Sequence, residues 1–183
     1  EGVVASLQAK AVIIADDGFE SAWNPGNSSS RGLSIALDAG CQLKDLEFIA
    51  WNPLGIPDTE LVLSLDILAN GAEITTPSGS EIEITPELTP NELALQINDA
   101  GGTALLNATA LSKTATPWYA GLKQAIKDRT GLDMSEQPIP VSPRVEQTLG
   151  GLPVDEHGRV VRGNWDKWYT GLYSAGGASC SGF

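Results

Sequence analysis

The apolar residues of this chain fall into two periods, separated by breaks rich in Gly, Pro, Ser and Asn. AKAVIIA, residues 9–15, is a nearly unbroken apolar run rich in β-branched residues, which predicts a strand buried on both faces. WNPGNSSSRG, residues 23–32, is loop chemistry with Ser residues available to cap a helix. GLSIALDAG then predicts that helix, whose apolar side is Leu33, Ile35, Ala36 and Leu37 and whose stop is Gly40. EFIAWN predicts a further strand, broken by Pro53, Gly55 and Pro57.

Beyond Asp58 the periods shift. TELVLSLDIL, residues 59–68, fits either a helix or a strand. AEITTPSGSEIEI predicts two short alternating strands around a turn at Pro77, Ser78 and Gly79. TPNELALQINDAGG carries Thr89 as helix cap, Pro90 at the first helical position, Glu92 at the third, and Gly101-Gly102 as the stop. ALLNAT, residues 104–109, predicts a strand, and TPWYAGLKQAIKDRTG a capped helix with Trp118, Leu122 and Ile126 on one face. PIPVSP is extended, VEQTLGGLPVDEHGRVV is a hairpin turning at Asp155 to Gly158, and GLYSAG is a last strand. Trp165, Trp168 and Tyr169 fall in the polar segment GNWDKWY, expected to be a loop.

Composition narrows the class. The 183 residues include 11 basic and 23 acidic side chains, a net charge of -12, which disfavours nucleic acid and anionic lipid because both are bound through clustered Lys and Arg. No apolar run approaches the ~18 residues of a membrane-spanning helix. Cys41 and Cys180 share no metal-ligand spacing and His157 is the single histidine, so no metal site is expected. Reduced thiols in a cytoplasmic protein are the expectation. The opening at Glu1 and the lone Met134 suggest a piece of a longer chain.

Three strings carry a resemblance: EFIAWNPLGI (residues 47–56), PIPVSPRVEQTLGG (138–151) and GLYSAGGASCSGF (171–183). In that order they resemble EFVQFHPTGL, PIPVVPAAHYTMGG and GLYAAGEVACSGVHGANRL of the flavoprotein family of succinate dehydrogenase, fumarate reductase and L-aspartate oxidase. The resemblance implies an α+β fold: the capping domain of a fumarate reductase-like flavoprotein, at residues 53–137, flanked by pieces of an FAD-binding α/β domain at 1–52 and 138–183. It implies FAD as the cofactor of the parent protein, with Ala15, Gly18, Gly150, Gly151, Gly176 and Gly177 as cofactor-binding positions. It also implies a small-molecule or electron-transfer partner there.

The resemblance also shows what has been replaced. The family's ATGG corresponds to Ala15-Asp16-Asp17-Gly18, so two carboxylates stand where small residues let the backbone approach the dinucleotide. At ~6 Å from a diphosphate each like-charge pair would cost about 0.7 kcal/mol in water and ~3 kcal/mol at an effective dielectric of 20. The plainer alternative is that Asp16 and Asp17 are solvated loop residues. The Glu ending GLYAAGE becomes Gly177. The His of HPT aligns with Asn52, a Thr-Glu pair with Ser64 and Leu65, the proton-delivering Arg with Asn91, and the His of HYTMGG with Glu146. No slip of the alignment between Thr59 and Asn91 restores an Arg or a His, because residues 32–128 contain neither.

Asn is no proton donor near neutral pH, and a Glu repels a dicarboxylate. No residue is therefore assigned a catalytic role, and Asn52, Ser64, Asn91 and Glu146 remain as substrate-pocket candidates. Asn52, Ser64 and Asn91 would suit a less charged substrate. Two functions are carried forward: part of an FAD-dependent oxidoreductase that does not catalyse as an isolated chain, and a non-catalytic interaction or structural module docking through Trp165, Trp168 and Tyr169.

Overall fold

In a computed structural model of the chain, described for residues 3, 5–23, 30–113, 117–163 and 166–181, the elements run β1 (Val12–Ile14), α1 (Arg31–Asp38), β2 (Ile49–Gly55), α2 (Asp66–Ala69), β3 (Glu73–Thr75), α3 (Pro90–Asp99), β4 (Ala104–Asn107), α4 (Pro117–Thr130), β5 (Ile139–Thr148), β6 (Leu152–Pro153), β7 (Arg159–Arg162), β8 (Lys167–Ser174) and β9 (Ser179–Cys180). Single 3-10 turns occur at Glu20–Ala22, Thr109–Lys113 and Gly176–Ala178. The chain divides into two units, one of residues Trp51–Arg144 and one of Glu1–Ala50 with Val145–Phe183. It passes from one to the other within β2 and again within β5.

The inner unit, 51–144, is built on sheet order β2-β5-β4-β3. Ile74 faces Leu106 and Leu106 faces Ile139 across antiparallel ladders, so one file of apolar side chains crosses three strands. Those residues join Leu54, Ile97 and Ile126 in its buried core. Here α3 forms as the sequence predicts. Thr89 accepts from the Glu92 N–H while the Glu92 carboxylate accepts from the Thr89 N–H at 2.8 Å, the reciprocal bonds of a capping box.

Three expectations are corrected in this unit. Pro53 and Gly55 do not break β2, because β2 is an edge strand, where a missing N–H costs no ladder bond. Residues 59–68 are neither one helix nor one strand: Val62 pairs with Gly55, and α2 comes after it as a single turn. On α4 the buried positions are Tyr119 and Ile126, two turns apart, while Trp118 is exposed, since each residue step rotates the helix by about 100°. The hairpin after β3 is present, although its second arm is reduced to the pairing of Thr75 with Glu81.

The outer unit holds sheet order β1-β8-β7 and the short pair β6-β9. β1 runs parallel to β8, with Ile13 opposite Tyr173, and β7 pairs antiparallel with β8, while across the turn from Asp155 to Gly158 the expected hairpin is reduced to the pairing of Val154 with Val160. Leu33, Ala36, Leu152, Val160 and Ala178 form its core. β1 is not buried on both faces: it lies at the sheet edge, with Ile13 66% exposed. In α1 only Leu33 and Ala36 point inward, while Ile35 and Leu37, rotated away on the helix, are exposed. Gly40, with φ 87°, ends that helix in the left-handed conformation that glycine adopts without a Cβ clash.

Candidate functional site

The six small residues implied as cofactor positions are gathered in the outer unit. Past the end of β1, the Ala175 N–H donates to the Ile14 carbonyl and the Ala178 N–H to the Asp16 carbonyl, each at 3.0 Å. These bonds lay the turn at Gly176–Ala178 along residues 15–18. The approach is so close that a Cβ on Gly177 would lie 2.5 Å from the Gly18 nitrogen. A Cβ on Gly151 would lie 2.5 Å from the Ala178 oxygen, and one on Gly150 would collide with the Asp45 carbonyl. Gly18 abuts the Thr148 hydroxyl in the same way. Gly176, with φ 68°, opens the turn, and Ala15 lies exposed beside it. Most of the space these glycines leave is filled by the protein's own backbone.

A clasp fixes the far side of the loop. Thr148, buried at the end of β5, accepts from the Phe19 N–H through Oγ1 and donates from both its hydroxyl and its N–H to Glu20, each bond 2.9 Å. Asp16 has a role that neither sequence reading anticipated. Its Oδ2 accepts from the Gly32 N–H at 2.7 Å, and its Oδ1 from the Asp17 N–H at 3.1 Å. Asp16 therefore caps α1. Ser30 occupies the N-cap position but is left-handed, with φ 37°, and makes no side-chain cap bond. Capping is normally sought in the residue that opens the helix, so a cap from 16 residues upstream left no local signal. Asp17 is exposed.

In the inner unit, three of the four substrate-pocket candidates lie close together along β2. Asn52, 6% exposed, donates from Nδ2 to the Leu63 carbonyl at 3.3 Å and accepts at Oδ1 from the Leu54 N–H at 2.8 Å. Asn91, in the first turn of α3, accepts at Oδ1 from the Trp51 N–H at 2.8 Å. Glu92 fixes that turn, and its carboxyl is held below the usual range by the Thr89 backbone N–H first and the Thr89 hydroxyl second. Ser64 is next in sequence to the residue that Asn52 grips. Its hydroxyl donates to Asp66 at 2.9 Å and accepts from the Asp66 N–H at 3.2 Å, at the start of α2. Arg144, the last residue of this unit, donates to the Thr59 carbonyl and packs beside Gly55. Glu146 belongs to the outer unit, exposed on β5.

Of the three aromatic docking candidates, Trp165 lies outside the described residues. Trp168 and Tyr169 are not in a loop but in β8, where the Arg159 guanidinium stacks 3.9 Å above the Trp168 ring and the Tyr169 hydroxyl donates to the Gly40 carbonyl at 3.2 Å. Burial along β8 does not alternate but rises from exposed Lys167 and Trp168 to buried Ser174, so the strand carries no period-two signal in the sequence. His157 is in the exposed turn of the β7 hairpin.

The family described as FAD binding domain matches residues 1–183. The chain belongs to that family. As an FAD-binding-domain chain it is 31% identical to the L-aspartate oxidase of Pyrococcus furiosus over 97% of its own length and 38% of that protein. It is 24% identical to the succinate dehydrogenase flavoprotein subunit of Rickettsia bellii over 98% of its length and 34% of that protein. The solved quinol fumarate reductase of E. coli shares the fold with a TM-score of 0.70 at 18% identity, over 93% of this chain and 34% of that one. The chain thus spans about a third of the length of the curated relatives it matches.

FAD is the cofactor of this family. A dinucleotide diphosphate is held by free N–H donors at a glycine-rich turn and a helix N-terminus. In this FAD-binding-domain chain the N–H groups of Asp17, Phe19, Gly32 and Ala178 already donate within the protein. One carboxylate sits on the α1 N-terminus and a second stands exposed next to it. The residues of the 15–18 loop do not fit a diphosphate. Among the described residues no helix is long and apolar enough to cross a membrane, and no group of three or more His, Cys, Asp or Glu is placed to hold a metal.

Proposed function

We propose that the chain is the cap and adjoining scaffold of a flavoprotein of the succinate dehydrogenase and fumarate reductase type, and that it does not itself turn over a dicarboxylate. Residues 53–137 are the cap in this reading, and 1–52 and 138–183 are pieces of the FAD-binding domain. The compact unit at 51–144 supports that division. One observation carries the loss of chemistry. Asn52, which stands where the family's His would, spends Nδ2 on the Leu63 carbonyl and Oδ1 on the Leu54 N–H, so its side chain is committed to holding the strand.

The neighbouring groups point the same way. Asn91 binds the Trp51 N–H, Ser64 binds Asp66, and Glu146 offers a negative charge. Neither an amide nor a serine hydroxyl delivers a proton near neutral pH as a guanidinium or imidazole in a tuned site does. A substrate or electron-transfer partner would be met by the longer protein. A reducing, cytoplasmic setting suits Cys41 and Cys180, both buried thiols outside any disulfide, with burial raising the Cys41 thiol above its usual pKa.

The test is to incubate the purified chain with excess FAD and measure succinate-driven dye reduction and fumarate-driven oxidation of a reduced flavin. The expected rates equal those of free FAD. Saturable dependence on either dicarboxylate would overturn the proposal.

A further inference from the structure

The disagreement between the family's cofactor and the residues at the end of β1 leads to one inference. The loop at 15–18 lies against the N-terminus of α1, where unpaired N–H groups and the helix dipole favour an anion. Asp16 reaches that point from outside the helix and binds the Gly32 N–H at 2.7 Å, while its own carbonyl is held by the Ala178 N–H. On the other side, Gly177 meets the Gly18 backbone with no room for a Cβ. We infer that the Asp16 carboxylate is a built-in anion that fills the α1 N-terminus and excludes the diphosphate of a dinucleotide from the 15–18 loop.

This inference deepens the proposed reading and rests on it only for the choice of ligand. It makes the loop self-occupied: the charge a phosphate would bring is supplied by the chain, and the N–H groups of Asp17, Phe19, Gly32 and Ala178 are engaged before any ligand arrives. Removing the carboxylate lifts one like-charge repulsion, and in Asp16→Gly it also frees the Gly32 N–H.

Inorganic pyrophosphate is the probe. It is titrated at constant ionic strength into the 15N-labelled chain, with the Gly32 amide shift as readout, for the wild type, Asp16→Gly and Asp16→Ser. The serine variant keeps a neutral acceptor for the Gly32 N–H and so preserves the cap if the glycine variant does not fold. Wild type is expected to show no saturable Gly32 shift, and a folded variant to bind pyrophosphate at least tenfold more tightly. A saturable Gly32 shift in the wild type, or folded variants that bind no better than it, would overturn the inference. Succinate turnover is read separately, so an active wild type with a silent Gly32 would sink the proposed function and leave this inference standing.

Discussion

Asn91, in the first turn of α3, accepts a hydrogen bond from the backbone N–H of Trp51 in β2 at 2.8 Å, across 40 residues of sequence. Both residues belong to the inner unit, and the bond ties its capped helix to its edge strand. Asn91 is thereby a structural joint.

Asn91→Ala should lower stability by about 0.5–1.5 kcal/mol, the net worth of one such bond. Asn91→Asp, which keeps the acceptor, should lose less, and Asn91→Arg, which has no acceptor, should lose as much as alanine. Urea unfolding of the three variants checks the order. Equal stability of Asn91→Ala and wild type would show that the joint carries no load.

Gly177→Ala should be costly because its new Cβ would meet backbone, the Gly18 nitrogen at 2.5 Å, and backbone cannot swing aside as a flexible side chain can. A loss of about 1–3 kcal/mol is expected. Gly121→Ala, where a Cβ meets nothing within 4 Å and helix propensity favours alanine, should be neutral or stabilising and serves as control. Thermal melts of the two variants separate these outcomes.

Acid sensitivity should trace in part to Asp133. Its carboxyl is held far below the usual range, chiefly by the Ser135 hydroxyl, against an opposing push from burial, with the Ser135 N–H, Lys127 and Lys123 adding to the depression. A carboxyl whose folded-state pKa is lowered contributes stability above its unfolded value, about 3.9, and that stability is lost as pH falls toward the folded value. Wild type should therefore lose stability below about pH 4, and Asp133→Asn should lose less over the same window while starting lower. Urea midpoints measured from about pH 6 to about pH 2.5 check this; parallel curves would rule Asp133 out.

The fold was most legible where local chemistry decides it. Thr89, Pro90 and Glu92 announce α3 because the cap, the fixed φ and the reciprocal carboxylate all lie within four residues. Gly40 and the Asp155–Gly158 turn were legible for the same reason. What stayed hidden depends on distant partners. Pro53 reads as a breaker until β2 is known to be an edge strand, and Ile35 reads as core until the helix rotation is fixed by Leu33 and Ala36. Sequence placed the candidates Asn52, Ser64 and Asn91 in one region through family resemblance, and it revealed nothing of the bonds that occupy them. Asp16 was visible as an anomaly, but its partner Gly32 was not.

The central claim is that Asn52 and Asn91 hold the fold rather than a dicarboxylate. The most direct measurement tracks their side-chain amide resonances, in the 15N-labelled chain, as succinate is added at constant ionic strength. The account predicts no saturable shift of either amide. A saturable shift shared by both, lost in Asn52→Leu, would contradict it.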